Sequence, residues 1–228
     1  MSKFHKCLSK TQKLNSDVYN SDIRDSIHNH LYPCDLGVFF FDSESYNFFE
    51  ILKREINTNF DQYFYKIKKE VIENDFISKT KVKEILKLRK AHVYPTTCFY
   101  EKISELKLRN NFKIGVGITD VPIYSSSKNN LIFLYGEAHL YLNSAIVSSY
   151  NLKSQDITSR SYNERLQKRI IKEVIHEVGH FILGPNHCEN KLCIMSFSKN
   201  IWDVDKKCPC FCKECKVELE KIKDSFTA

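Results

Sequence analysis

The sequence lacks several features that would place it in a special class of protein. None of its apolar runs approaches the roughly 20 residues that a membrane-spanning helix needs, so we expect no membrane span. Residues 1–17, MSKFHKCLSKTQKLNSD, contain no apolar core segment, so we do not expect a signal peptide. There is no internal repeat and no low-complexity tract, which excludes a repeat array. Glycine is scarce, with 6 residues, but this bias carries no information on function.

The composition is that of a folded protein. A hydrophobic fraction of 42% in 228 residues can fill a sizeable core. We predict a polar N-terminal segment over 1–34 and a single domain over 35–228. The net charge of +7 comes from basic residues that are spread along the chain among acidic ones, which is typical of a solvated surface. We therefore do not expect nucleic-acid binding. We also expect no membrane partner and a monomeric protein.

Cysteine is abundant, with 9 residues. Without a signal peptide we expect an intracellular location, cytoplasmic or nuclear, where thiols stay reduced. In such a compartment clustered cysteines are typical of metal ligands and free thiols rather than of a disulfide framework. Most of them lie between positions 188 and 215, which indicates a metal-binding segment.

The hydrophobic pattern predicts mixed secondary structure. Strands are predicted at 36–41, 113–118, 131–142 and 144–152, with a loop over 119–130, and the segment 62–75 is ambiguous. Helices are predicted after an N-cap at Asp42 or Ser43, and over 79–92 and 96–108. This order indicates an α/β fold, with α+β as the alternative.

The clearest element is a long helix over about 162–183. Ser161 and Glu164 form a capping-box pair ahead of it, and Gly184 ends it. Apolar residues recur every three or four positions along this helix, while His176 and His180 project roughly opposite the middle of the apolar stripe. The helix therefore buries one side against the sheet and presents both histidines on the other.

These two histidines belong to an HExxH motif. Imidazoles at i and i+4 lie one turn apart on one face, so both can reach a single metal ion. Glu177 lies between them, where it can act on a metal-bound water without binding the metal. His187 follows just past the glycine turn, which gives three protein ligands and one open position, the pattern of a catalytic zinc site.

The cysteines predict a second metal site. Cys188 and Cys193 are separated by four residues, and Cys212 and Cys215 form a CxxC pair. Four thiolates complete a closed tetrahedral sphere, which is typical of a structural zinc. Cys208 and Cys210 are surplus; either could compete with Cys212 for the ion.

The segment after residue 173 resembles the archaemetzincins, a metzincin-related family of zinc peptidases. These carry HExxH, a third His joined directly to Cys, then Cys-x4-Cys-x-Met and a later CxxC, and HCENKLCIM (187–195) matches that pattern position by position. VGITDVPIY, FLYGEAHL and AIVSSYNL are similar to the family's strands ahead of its zinc-binding helix. The resemblance covers roughly residues 36–220.

The resemblance implies a metzincin-like mixed sheet packed against helices and two zinc ions per chain. It implies Glu177 as the general base, Met195 as the Met-turn residue, and an edge strand within 132–142 that pairs with an extended peptide. The implied ligands are His176, His180 and His187 for the catalytic zinc, and Cys188, Cys193, Cys212 and Cys215 for the structural zinc.

Two spacings depart from the family pattern. Six residues, FILGPN, separate the second histidine from the third where the family usually has five, and the gap from Met195 to the CxxC pair is one residue shorter. A Gly-Pro turn can absorb the extra residue, so the assignment of His187 stands.

Together these patterns predict a zinc metallopeptidase that hydrolyses peptide bonds through a zinc-activated water, with peptides or proteins as substrates. The alternative is a catalytically inactive, zinc-stabilised module whose cysteine-rich end binds a protein or nucleic acid. An intact Glu177 favours the peptidase, because a binding module does not need a base at that position.

Overall fold

The computed structural model describes residues 32–41, 48–72, 76–77, 84–86, 91–126, 133–153 and 162–226. The strands are β1 (Cys34–Phe40), β2 (Phe64–Val71), β3 (Glu84–Leu86), β4 (Ala91–Pro95), β5 (Ile114–Thr119), β6 (Ile123–Tyr124), β7 (Phe133–Leu134), β8 (Gly136–His139) and β9 (Ser144–Ser148). The helices are α1 (Phe49–Asn59), α2 (Thr96–Asn110), α3 (Tyr162–Leu183), α4 (Ile201–Lys206) and α5 (Lys213–Asp224).

The main sheet is mixed. Its order is β2-β1-β5-β9-β8; the first four strands run parallel and β8 pairs antiparallel with β9. The predicted mixed sheet of an α/β fold is therefore confirmed. β8 lies at the edge of this sheet among the residues that the structure describes, which places an edge strand within 132–142.

Helices cover both faces of the main sheet. Alternate residues of β1 point to opposite sides, so Val38 packs in the cluster that contains α1 and α3, while Phe39 packs in the cluster that contains α2. The central strands β1 and β5 are buried on both faces, as expected for parallel strands between helical layers. The long helix has the predicted bounds, and it packs against β8 and β9.

Several sequence predictions were wrong or incomplete. Within the segment 79–92, predicted to be helical, Glu84–Leu86 and the start of Ala91–Pro95 form an antiparallel strand pair. Pairing between strands overrode the high helix propensity of the segment's Lys, Glu and Leu residues. The ambiguous segment 62–75 contains β2, and the predicted loop 119–130 contains β6. The predicted strand 131–142 is divided, because Phe133–Leu134 pairs with β6 and Gly136–His139 pairs with β9 in the other sheet. The chain then turns through a 3₁₀ segment, Leu140–Leu142.

Two predicted caps fall outside the described residues. Asp42 and Ser43 belong to one such gap, and α1 begins at Phe49. Ser161 belongs to another, immediately before α3. Among the described helices, none combines the length and the apolar character needed to cross a membrane.

Candidate metal centres and active site

The structure brings the three histidines of the sequence motif together. One ring nitrogen from each of His176, His180 and His187 lies within 4.8 Å of the others. His176 and His180 are buried on α3, while His187 is exposed. Gly184 ends the helix with a φ of 86°, a left-handed conformation that favours glycine. The turn FILGPN therefore accommodates its extra residue and still returns His187 to the other two rings.

The hydrogen bonds of the buried pair indicate that the two rings are arranged to bind a cation. Nδ1 of His176 lies 2.8 Å from the carbonyl oxygen of Ile194, and Nδ1 of His180 lies 2.8 Å from that of Gly184. A carbonyl can only accept, so each Nδ1 carries the proton and each neutral ring has its lone pair on Nε2. The two Nε2 atoms are 3.1 Å apart. Two facing lone pairs repel each other unless a positive ion lies between them.

This arrangement fits zinc. Nitrogens about 2.1 Å from a tetrahedral zinc ion lie about 3.4 Å from one another, close to the observed separation. Burial lowers the pKa of His180 to about 4 and also lowers the pKa of His176. Both imidazoles are therefore neutral over the physiological range, which is the form that binds a metal.

Glu177 lies against the edge strand β8. A backbone hydrogen bond links its carboxylate to Ala138, and a Cβ at Gly136 would stand 2.6 Å from its Oε1 atom. Burial raises the pKa of Glu177 well above the ordinary value, and the negative charges of Glu173 and Glu137 add to the effect. A carboxylate with a raised pKa is suited to accept a proton near neutral pH. Gly136, which sequence reasoning missed, makes room for it.

Met195 packs beneath the histidines. A Cβ at Gly179 would lie 2.4 Å from the Met195 sulfur, so this glycine allows the thioether to sit directly against α3. Met195 is buried, and Gly179, which it contacts, immediately precedes His180 on α3. Met195, which the resemblance implies as the Met-turn residue, thus packs against the turn of α3 that carries His176 and His180.

We expect Gly179→Ala to weaken zinc binding at the histidine group, because the added methyl displaces Met195 and overpacking of this kind costs about 1–3 kcal/mol. Zinc titration and thermal unfolding would measure both effects. Adding Met195→Ala should recover part of the lost affinity, since it reopens the space. If the double variant binds zinc as poorly as Gly179→Ala alone, the contact with Met195 is not the cause.

The four predicted thiol ligands also come together. Cys188, Cys193, Cys212 and Cys215 place their sulfurs within 4.8 Å of one another. The sulfurs of Cys188 and Cys212 are 3.6 Å apart, and those of Cys193 and Cys215 are 3.7 Å apart. Four sulfurs about 2.3 Å from a tetrahedral zinc ion lie about 3.8 Å from one another. The donor set therefore fits a structural zinc.

The pKa values of the thiols shift in opposite directions without a metal ion. Although burial raises the pKa of Cys193, hydrogen bonds to the backbone of Cys212 and Met195 outweigh it and hold that pKa below the ordinary value. Burial raises the pKa of Cys212 to about 11, and burial together with the hydrogen-bonded thiol of Cys212 raises the pKa of Cys215 further. A bound metal ion reverses such shifts and deprotonates the coordinating thiols.

Cys208 and Cys210 do not join this group. They form a disulfide with each other across a separation of two positions. The expectation of metal ligands and free thiols is therefore incomplete, since these two residues are neither ligands nor free thiols. Backbone bonds fix the segment as well, since the Cys208 amide donates to the carbonyl of Leu192 and the Cys210 carbonyl accepts from the amide of Ile194.

The two groups share backbone. The amide of Cys188 donates to the carbonyl of Met195 at 2.9 Å, and the carbonyl of Ile194 accepts from His176. His187 and Cys188 are adjacent in the chain, so one faces the histidine group while the other faces the thiol group. The position of each group therefore constrains the other.

A cleft of about 570 Å³ opens over the histidines. β8 and the preceding residues 133–135 form one wall, and Phe197 with the residues after it forms another. Two further lining residues, Glu173 and Lys207, are charged and buried, and the distance between Lys207 Nζ and Glu173 Oε1 is 3.8 Å. Sequence reasoning missed this pair, because no motif links a residue of α3 with one that follows α4.

Hydrogen bonds of Glu137 connect β8 to α2 and to the residue that follows β6. Its carboxylate accepts hydrogen bonds from Thr96 at 2.7 Å, from Tyr100 at 2.9 Å and from Ser125. Glu137 thus anchors the strand whose neighbouring residues, Gly136 and Ala138, contact Glu177. Sequence reasoning also missed this anchor, because its partners come from two other segments: Thr96 and Tyr100 lie on α2, and Ser125 follows β6.

Comparison with known proteins gives the family. The family model described as peptidase family M54 matches residues 36–221. The chain belongs to peptidase family M54. The predicted resemblance to the archaemetzincins is confirmed, and the family assignment covers both the histidine group and the thiol group.

The relatives agree with this assignment. The archaemetzincin of Methanocaldococcus jannaschii is 43% identical over 111 residues, which are 49% of this chain and 58% of that protein. The match thus spans less than two thirds of that relative. The crystal structure of archaemetzincin from Methanopyrus kandleri is similar with a TM-score of 0.62 at 24% identity, covering 86% of this chain and 96% of that one. The crystal structure of a zinc-dependent peptidase from Methanocorpusculum labreanum is similar with a TM-score of 0.63 at 21% identity, covering 81% of this chain and 99% of that one. These two likenesses show the metzincin-like fold.

Proposed function

We propose that this M54 family member is a zinc metallopeptidase that hydrolyses peptide bonds in peptide or protein substrates. The observation that carries the proposal is the group of three histidines with Glu177 beside it, at the base of a cleft walled by an edge strand. His176, His180 and His187 would hold the catalytic zinc. The membership of a peptidase family supports this reading.

Glu177 acts as the general base. Zinc, when bound, would polarise the scissile carbonyl and make water a stronger acid. Glu177 accepts the proton of the attacking water and then passes it to the leaving amine, which needs a base whose pKa lies between those of its partners. The hydrogen bond to Ala138 orients the carboxylate during both transfers. The backbone carbonyls of Ile194 and Gly184 accept hydrogen bonds from the Nδ1–H groups of His176 and His180. These bonds keep both rings in the tautomer that leaves Nε2 free to bind a metal.

β8 positions the substrate. Its outer edge has no partner strand within the described part of the chain, so an extended peptide can add to the sheet there. Gly136 and Ala138 contact Glu177, which places a peptide on this strand next to the base. A second zinc would be held by Cys188, Cys193, Cys212 and Cys215, and it would stabilise the C-terminal segment. Four protein ligands would leave no open position for a substrate or water.

The test of this function is zinc content and peptide hydrolysis measured on the same sample. We expect two zinc ions per chain and cleavage of a mixed peptide library, with cleavage lost when the histidine-bound ion is removed by a chelator. A fully zinc-loaded protein that cleaves no peptide would favour the inactive binding module instead.

We expect the activity to be independent of disulfides, because the proposed cytoplasmic or nuclear location is reducing and the only disulfide among the described residues lies outside both ligand groups. Hydrolysis and zinc content should be unchanged after treatment with a non-chelating phosphine reductant. Mass spectrometry without reduction gives the complementary reading. Two or more disulfides in the active, zinc-loaded protein would contradict both the location and the four-thiolate site.

A further inference from the structure

One end of the cleft has a polar floor that the peptidase mechanism does not use. Glu173 lies on α3, one helical turn before Glu177, and Lys207 follows α4. Both side chains line the cleft, and both residues are only 3% exposed. Ser198, from the opposite wall, also lines it.

The floor has hydrogen-bonding groups without partners. Oε1 of Glu173 and Oγ of Ser198 are buried, and neither makes a hydrogen bond within the part of the chain that the structure describes. The Lys207 ammonium lies 3.8 Å from Glu173 Oε1, which is close enough for an ion pair but too long for a hydrogen bond. Buried polar atoms normally have partners, so unpaired ones that face a cleft indicate a ligand that would satisfy them.

The floor is held in place rather than adaptable. The guanidinium of Arg169 binds both carboxylate oxygens of Asp205, at 2.7 and 2.6 Å, and joins α3 to α4. Lys172 donates to the carbonyls of Val204 and Asp205 at the end of the same helix. Lys207, two residues further on, therefore keeps its position relative to Glu173. Groups fixed in this way can select a ligand by geometry.

The position of Glu173 and Lys207 relative to Glu177 indicates which part of a substrate would contact them. Glu177 returns its proton to the leaving amine, so the residue that supplies that amine lies on the Glu177 side of the scissile bond. Glu173 precedes Glu177 by four residues and therefore lies next to it on the same face of α3. On this geometry, the side chain of the residue that supplies the leaving amine would point toward Glu173 and Lys207.

The charge of the floor limits the class of that side chain. Glu173 and Lys207 together carry no net charge, so a charged side chain would bury an excess charge among them, at a high desolvation cost. An alkyl side chain would leave Glu173 and Ser198 unpaired. A carboxamide is neutral and presents an N–H donor beside a carbonyl acceptor, which match the carboxylate and the ammonium respectively.

We propose that Glu173, Lys207 and Ser198 form a subsite for a carboxamide side chain, glutamine or asparagine, on the residue that supplies the leaving amine. This inference rests on the proposed peptidase function for the position of the substrate. The carboxamide nitrogen donates to Glu173, and its oxygen accepts from Lys207, with the Ser198 hydroxyl completing the contacts.

The first experiment measures binding and needs no turnover. Three hydroxamate inhibitors that differ only in the side chain beside the chelating group would be titrated calorimetrically into the zinc-loaded protein: carboxamidoethyl, the isosteric 3-methylbutyl, and carboxyethyl. We expect the carboxamide to bind at least about tenfold more tightly than either of the others, because each of them leaves polar or charged groups unmatched. Equal binding, or tighter binding of the alkyl compound, would overturn the subsite.

Variants connect the preference to the named residues. The double variant Glu173→Met/Lys207→Met gives an apolar floor and should reverse the order, so that the alkyl compound binds best. Ser198→Ala is a milder change, which should reduce the preference for the carboxamide compound. It provides the test if the double variant does not fold. Lys199→Met is the matched control, since Lys199 lines the cleft but is exposed. Zinc content checks that each protein is loaded.

Cleavage of a peptide library separates this inference from the proposed function. Cleavage before glutamine and asparagine in preference to leucine and methionine supports both. Cleavage without any such preference refutes the subsite and leaves the peptidase in place. A selective carboxamide hydroxamate with no cleavage of any peptide would refute the peptidase and leave the subsite in place.

Discussion

Replacing Glu177 with alanine is expected to lower kcat by about two to four orders of magnitude while both zinc ions stay bound, because loss of a general base alone has an effect of this size. None of the ligand atoms changes, since Glu177 lies between His176 and His180 without joining their group. Steady-state hydrolysis and zinc content of the same preparation are the measurements. A variant that cleaves peptides as fast as the wild type would show that the mechanism is wrong.

Two companion variants separate chemistry from packing. Glu177→Gln keeps a side-chain oxygen that can accept from Ala138 but cannot take a proton, so it should be as inactive as alanine. Glu164→Ala, in the exposed first turn of the same helix, is the matched control and should keep full activity. If Glu177→Gln retains activity where alanine loses it, Glu177 acts by supporting β8 and not as a base.

The candidate site was predictable where its residues are close in sequence. The HExxH spacing, the turn to His187 and the Cys-x4-Cys and CxxC pairs each follow from local geometry, and the structure brings these residues together. The long helix was equally predictable, because its apolar stripe persists over many turns. Local patterns failed where pairing between strands decides the outcome: within 79–92, predicted to be one helix, Glu84–Leu86 pairs with the start of Ala91–Pro95.

The parts of the site that the sequence did not reveal are those assembled across the fold. Gly136 matters only because β8 lies against Glu177, and Glu137 matters only because Thr96, Tyr100 and Ser125 surround it. Lys207 reaches Glu173 because α4 packs on α3. Each depends on a neighbour from another element, and a single sequence does not show which elements meet.

Cys215→Ser is expected to remove the thiolate-bound zinc and, with it, most of the affinity of the histidine group and all of the activity. Zinc binding in small Cys/His sites contributes roughly 10–16 kcal/mol, whereas whole domains are stable by about 5–15 kcal/mol. Losing that contribution would unfold the C-terminal segment even though no substrate touches it. Zinc titration monitored separately for the two sites, beside thermal unfolding, measures the loss.

The coupling follows from the backbone that the two groups share. Cys188 is bonded covalently to His187, and its amide donates to the carbonyl of Met195. Ile194, next to Cys193, provides the carbonyl that fixes the tautomer of His176. If the thiolate-bound zinc is lost, we expect the segment around Cys188 to move and His187 to leave the third ligand position. Normal affinity of the histidine group in Cys215→Ser would show that the two sites are independent.

Cys208→Ser and Cys210→Ser are the matched controls, because each removes a nearby cysteine sulfur that belongs to neither ligand group. Their disulfide joins positions only two apart, so it closes a very short loop and constrains little of the unfolded chain. We therefore expect both variants to keep two zinc ions and nearly full activity. A severe loss of zinc in either one would mean that its thiol, and not Cys212, completes the structural site.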